Sequence, residues 1–139
     1  VDAGIERLDI PELKFAAAAA DTLDALAARR LLETAYVALS FYEPRDYLRQ
    51  GRPAHALLVL EIADRIEPRS FRVCHGMARA YAQLQRNGEA LEALRCTATA
   101  PGVRAPELAR FLEGDPYLDP LKADPEFRAL LTRLRRVTR

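Results

Sequence analysis

Tyr47 recurs as Tyr81, Ala56 as Ala90, Leu57 as Leu91 and Leu60 as Leu94, each displaced by 34 residues, and Pro68 is answered by Pro101 one residue early. A fixed period of this length constrains the architecture more than any single motif. Each repeat is one supersecondary unit that buries its apolar face only against its neighbours. The period divides the chain into units at 37–70 and 71–104, flanked by an N-terminal helical segment at 1–36 and C-terminal capping helices at 105–139. The recurring residue types have a packing rationale. A small Ala lets two helices approach closely, a Tyr fills the space above it, and a Leu one turn on seals the pair.

Local signals place helices inside this frame. Asp9-Ile10-Pro11-Glu12 reads as a helix start, with Pro in the first turn and acids at the positive end of the dipole; residues before Asp9 are expected as a loose or docked arm. Residues 13–42 contain no Pro or Gly and are rich in Leu, Ala and Arg, with a break expected at Asp21-Thr22, either of which could cap a second helix. Pro44 interrupts that stretch, so a kink or boundary is expected at Glu43. Helices are then expected over 45–50, closed by Gly51, over 54–66 behind Pro53, and over 71–85 with Ser70 as N-cap. Asn87-Gly88 reads as a turn, 89–100 as the next helix and Pro101-Gly102 as its stop. In the tail, short helices are expected at 105–113 and 125–136, separated by Asp-Pro steps. No stretch alternates as a strand would, so the fold class is all-α.

The 139 residues suffice for one domain with a core that needs neither metal nor disulfide. Lys and Arg total 21 against 20 Asp and Glu, for a net charge of +1, so no global field favours nucleic acid or an anionic membrane. Nineteen of the cations are Arg, a bias that a GC-rich coding sequence explains more simply than phosphate binding. The longest apolar run, residues 15–20, falls well short of the roughly 20 residues of a membrane span. The chain starts at Val1 without a basic-then-apolar leader, as an excised domain or processed product would. No cofactor or metal is expected, because His55, His75, Cys74 and Cys96 match no ligand spacing. Both cysteines are expected as small hydrophobes in the hairpin core rather than as a disulfide. No Gly-rich phosphate loop, HExxH, GxSxG or Cys/His arrangement occurs, and acid pairs such as Asp115/Asp119 read as caps and turns, so the chain is not expected to be an enzyme.

In the second unit, Cys74-x2-Met77-Ala78-x2-Tyr81, then Ala90-x3-Leu94 and Pro101, resembles the tetratricopeptide repeat pattern. In the first unit Ala56, Leu60, Ala63 and Pro68 fit that pattern, while Ser40, Glu43 and Pro44 depart from it. The tail Asp-Pro-Tyr-Leu-Asp-Pro-Leu, followed by Asp-Pro-Glu-Phe, resembles the segment that ends bacterial arrays of this family. The resemblance implies an α-α superhelix of stacked antiparallel hairpins whose first helices line a concave, peptide-binding groove.

Carried onto this chain, that groove would present Arg45 and Arg49, then Arg72, His75, Arg79 and Gln83, with Arg110 extending the row. Arg72, His75 and Arg79 are three and four apart and share one helix face. Residues 69–104 hold six Arg against only Glu89 and Glu92, so an acidic peptide or terminal carboxylate is the natural guest. The Lys and Asn set of the family's carboxylate clamp is not reproduced. Tyr36, Phe41 and Tyr42 make an aromatic cluster before Pro44 that is expected in the core, with a ligand-facing position as the alternative, and His75 is expected as a packed or solvated residue. The functional expectation is a protein-interaction module. The alternative is an accessory or homo-oligomerising domain of a larger bacterial enzyme or secreted protein.

Overall fold

The computed structural model describes residues 9–18 and 22–137, and every regular element among them is helical. Helix α1 spans Ile10–Ala18 and α2 Leu23–Val37; a π-helical segment, Ala38–Tyr42, leads into α3, Glu43–Arg49. There follow α4 (Pro53–Ile66), α5 (Phe71–Gln83), α6 (Asn87–Thr97), α7 (Ala105–Glu113), a 3-10 helix (Pro116–Leu121) and α8 (Pro125–Arg136). The all-helical expectation holds. The arm expected before Asp9 and the candidate cap Asp21 lie outside the described residues.

Each boundary has a local cause. Asp9 Oδ1 accepts from the Glu12 amide at 3.1 Å and Thr22 Oγ1 from the Ala25 amide at 3.1 Å, so the 13–42 stretch divides into two capped helices. Ser70 Oγ caps α5 through the Val73 amide at 3.2 Å and also receives the Tyr36 hydroxyl at 2.6 Å, which ties α2 to the start of the second unit. The turn between α5 and α6 falls at Leu84–Gln85, with Gln85 at φ 61°, and α6 already begins at Asn87. Asn87-Gly88 is therefore the first turn of a helix rather than the connection expected there.

Pro44 acts differently from a breaker. It has no N–H to donate to the Ser40 carbonyl, and the chain answers by widening. The Glu43 amide reaches back to the Ala38 carbonyl, five residues away, and the helix continues without a boundary. The expected kink is thus a π turn, and the extra residue re-aims the side chains around it.

The pairs α1–α2, α3–α4, α4–α5, α5–α6 and α7–α8 pack on one another, and α5 is the central helix, touching α4, α6, the π segment and the 3-10 helix. The periodic positions are equivalently placed: Ala56 and Ala90, and Leu60 and Leu94, are all fully buried, and Leu57 and Leu91 nearly so. Gly76 permits the closest approach, since a Cβ there would lie 2.9 Å from Leu60 Cδ2. A continuous apolar cluster joins Ala78, Ala90 and Leu94 of α5 and α6 to Leu112, Leu118, Phe127 and Leu131, so the C-terminal segments cover the end of the second unit.

Cys74 and Cys96 are joined by a disulfide between α5 and α6. Both are buried as expected, but the expectation that they stay unpaired is overturned. The two residues are equidistant in sequence from Gln85, the left-handed residue of the turn, so an antiparallel hairpin sets them opposite each other with Cα atoms 5.9 Å apart, inside the range a disulfide spans.

Candidate functional site: an arginine-lined aromatic groove

The outward face of α5 forms the floor of a cavity of about 720 Å³. Phe71, Arg72, His75, Gly76 and Arg79 supply that floor, because residues three and four apart fall on one helix face. Phe41, Pro44, Arg45 and Leu48, from the π segment and α3, make one wall. Arg110, Phe111, Gly114, Asp115 and Pro116, from the end of α7 and the turn after it, make the other.

One end of the floor is locked by Asp115, whose side chain is only 4% exposed. Its Oδ2 lies 2.7 Å from His75 Nε2 and 3.0 Å from Arg79 Nε, and its Oδ1 accepts from the Tyr117 amide at 3.0 Å. Burial pushes this carboxyl up. The hydrogen bond with His75, the Arg79 guanidinium, the charge of His75 and the Tyr117 amide outweigh that, and hold it below the ordinary carboxylate value of 3.8. Arg79 also lies over the Tyr117 ring, 4.4 Å from its centroid. Asp115 caps the 3-10 helix, in keeping with the cap or turn residue expected, and in addition joins it to α5.

The remaining cations are differently placed. The Arg72 and Arg45 guanidiniums lie 5.4 and 5.2 Å from the centroid of Phe41, so one ring supports both. Arg45 also has Asp46 at 3.9 Å. Neither Arg72 nor Arg110 is ion-paired among the described residues. The rings of Phe71, His75 and Phe111 are in mutual contact, at centroid separations of 4.9 to 6.0 Å. Phe111 is 50% exposed. The groove thus offers fixed aromatic surface, one neutralised arginine on its floor, and two arginines without an ion pair among the described residues, Arg72 on the floor and Arg110 on one wall.

Five of the residues expected on this face, Arg45, Arg72, His75, Arg79 and Arg110, line the cavity. Arg49 and Gln83 do not. Arg49 projects into solvent and pairs with Asp46, and Gln83 Nε2 donates to the Tyr117 carbonyl at 2.9 Å, so it holds the 3-10 helix in place. Phe41, expected in the core with a ligand-facing place as the alternative, takes the second position, 42% exposed on the groove wall, and Tyr42 is also exposed. His75 is packed, as one of the two expected readings had it, and its partner is Asp115, 40 residues on. Phe71 and Phe111 were not singled out in the sequence; the only signal for Phe71 is its place one turn before His75.

No group of three or more His, Cys, Asp or Glu among the described residues could hold a metal ion, and no helix among them is long and apolar enough to cross a membrane. Compared with family models, curated proteins and solved structures, the chain matches none of the three.

Proposed function

We propose that this chain is a protein-interaction module of tetratricopeptide type, and that the groove on α5 receives an extended acidic segment of a partner protein. The observation that carries the reading is the placement of Arg72 and Arg110, with no ion-pair partner among the described residues, on a concave aromatic surface whose other floor arginine is already neutralised. A guanidinium grips a carboxylate through a planar pair of N–H donors, and low-dielectric ring walls strengthen that contact. The repeat supports the type assignment, since residues related by the 34-residue interval share their burial.

The test is binding of an acidic fluorescent peptide to the wild-type chain and to Arg72→Glu/Arg110→Glu. Both side chains are solvent-facing, so the variant should keep its helical circular dichroism while affinity falls at least about tenfold and loses its salt dependence. Unchanged affinity would remove the groove from consideration.

A second reading, self-association through the N-terminal helices, draws on a different surface. Leu23, Leu26, Leu31 and Val37 are exposed apolar residues on α2, with Leu23 at 85% exposure. Light scattering over a concentration series separates the two: a concentration-independent monomer rules out these residues as a contact between copies.

A further inference from the structure

We infer that the groove takes one carboxylate of its segment at the end of the floor where α5 begins, gripped jointly by Arg72 and Arg45, with Phe41 as the residue that positions both. This rests on the groove reading above and adds Arg45 and Phe41 to the residues that decide what binds.

The two ends of the floor differ in charge. Arg72 is the second residue of α5, and Arg79 lies roughly 10 Å further along the axis at about 1.5 Å per residue. Arg79 Nε is 3.0 Å from Asp115 Oδ2, which also engages His75, so that end is neutralised from within. An incoming carboxylate there would meet the fixed negative charge of Asp115. Arg72 has no ion-pair partner among the described residues, and the first turn of α5 contains no acid. A cation at that position adds to the positive end of the helix dipole instead of offsetting it. The placement does nothing for the helix and leaves the charge to a ligand.

Arg45 reaches the same place from the wall. Its guanidinium lies 5.2 Å from the centroid of Phe41 and that of Arg72 lies 5.4 Å from it, so the two are no more than about 11 Å apart. Both line the cavity. The internal pair of Arg45 is loose, since Asp46 stands 3.9 Å away and is itself bonded by Arg49. Asp46 does not line the cavity.

Two guanidiniums held against one ring repel each other. One carboxylate between them relieves that repulsion and offers an oxygen to each fork of donors. Contact with the ring also restrains both long side chains before a ligand arrives, which lowers the ordering cost of binding. An aliphatic side chain at 41 would keep the wall apolar but would lose the aromatic face that attracts the two cations.

The experiment uses the full 139-residue chain and two fluorescein-labelled peptides read by anisotropy, Ser-Glu-Ala-Glu-Ala-Glu-Ser and its relative with Gln for every Glu. Arg45, Arg72 and Phe41 are exposed, so variants at these positions should keep their helical circular dichroism. Arg45→Gln and Arg72→Gln should each weaken binding of the Glu peptide about fivefold. The double variant should fall well short of the product of the two losses, because either change already opens the grip on the shared carboxylate. Arg49→Gln, outside the cavity, should change affinity less than about twofold. Phe41→Leu should cost about threefold in the wild-type chain and little in the double-Gln background, while Phe41→Tyr, which keeps the ring, should bind as the wild type does. Losses that multiply fully, or an Arg45→Gln chain that binds as the wild type does, would overturn the shared site; the groove reading would still stand if Arg72→Glu/Arg110→Glu weakens the same peptide. A Phe41→Leu loss that persists undiminished in the double-Gln background would overturn its positioning role. Equal binding of the Glu and Gln peptides to the wild-type chain would overturn the groove reading along with this one.

Discussion

Reducing the Cys74–Cys96 bond should destabilise the chain by roughly 3 kcal/mol, and the magnitude follows from where the bond sits. It joins residues 22 apart across the α5–α6 turn. A cross-link removes loop-closure entropy from the unfolded chain by an amount that grows with the logarithm of loop length, about 3 kcal/mol near this size. Unfolding entropies of about 2 cal/mol/K per residue then translate that loss into a fall in Tm of roughly 10 °C for a domain of this length. Reduction is a cleaner perturbation than mutation because it leaves both sulfur atoms in their buried places. The assay is urea unfolding followed by helical circular dichroism, with and without a phosphine reductant, with thiol titration before and after. The oxidised protein should show no free thiol and the reduced protein two. Groove affinity, measured well below the melting temperature, should change less than about twofold, because Arg72, His75 and Arg79 face the cavity while Cys74 faces α6. Superimposable urea curves, or two titratable thiols in the untreated native protein, would refute the reasoning.

Asp115→Asn should cost about 3 kcal/mol at neutral pH, since it leaves His75 and Arg79 beside a site that no longer carries charge. The wild-type pH dependence has a definite sign: the folded carboxyl titrates below its unfolded value, so its contribution is present above about pH 4 and is lost as pH falls through the folded value. Chemical denaturation between pH 7 and 2.5 checks this, and the Asn variant should show a flatter acid limb. Gly76→Val should destabilise by about 2 kcal/mol, because its Cβ would press on the fully buried Leu60 side chain. Combining it with Leu60→Ala should cost less than the two single losses added together, and strict additivity would show that the contact is not the cause.

How much of this was legible in the sequence depends on whether the controlling contact is periodic or particular. The 34-residue interval identified Ala56, Leu60, Ala90 and Leu94, because equivalent buried places in packed helix pairs impose equivalent size and polarity. The stripe of Arg72, His75 and Arg79 was legible for the same reason, as helical spacing alone puts the three on one face. The disulfide was in principle readable too, from the symmetry of Cys74 and Cys96 about Gln85. Seeing it required the turn to be placed at Leu84–Gln85, and Asn87-Gly88 drew the expected turn three residues too far along.

The contacts that give the groove its character are of the other kind. Asp115 reaches His75 across 40 residues, and nothing in a short Gly-Asp-Pro turn distinguishes a solvated cap from one that is buried against a distant helix. Phe41 depends on how the chain resolves the missing N–H of Pro44. A kink would have ended the helix with the ring directed wherever the break left it, whereas the π turn keeps the helix continuous and brings the ring against Arg72. The departure of Ser40, Glu43 and Pro44 from the repeat pattern is therefore where the first unit differs from the second in shape. That difference builds a wall of the groove: a regular α-helical turn there would lack the extra residue that carries Phe41 outward, and Arg45 and Arg72 would lose the ring that supports them both.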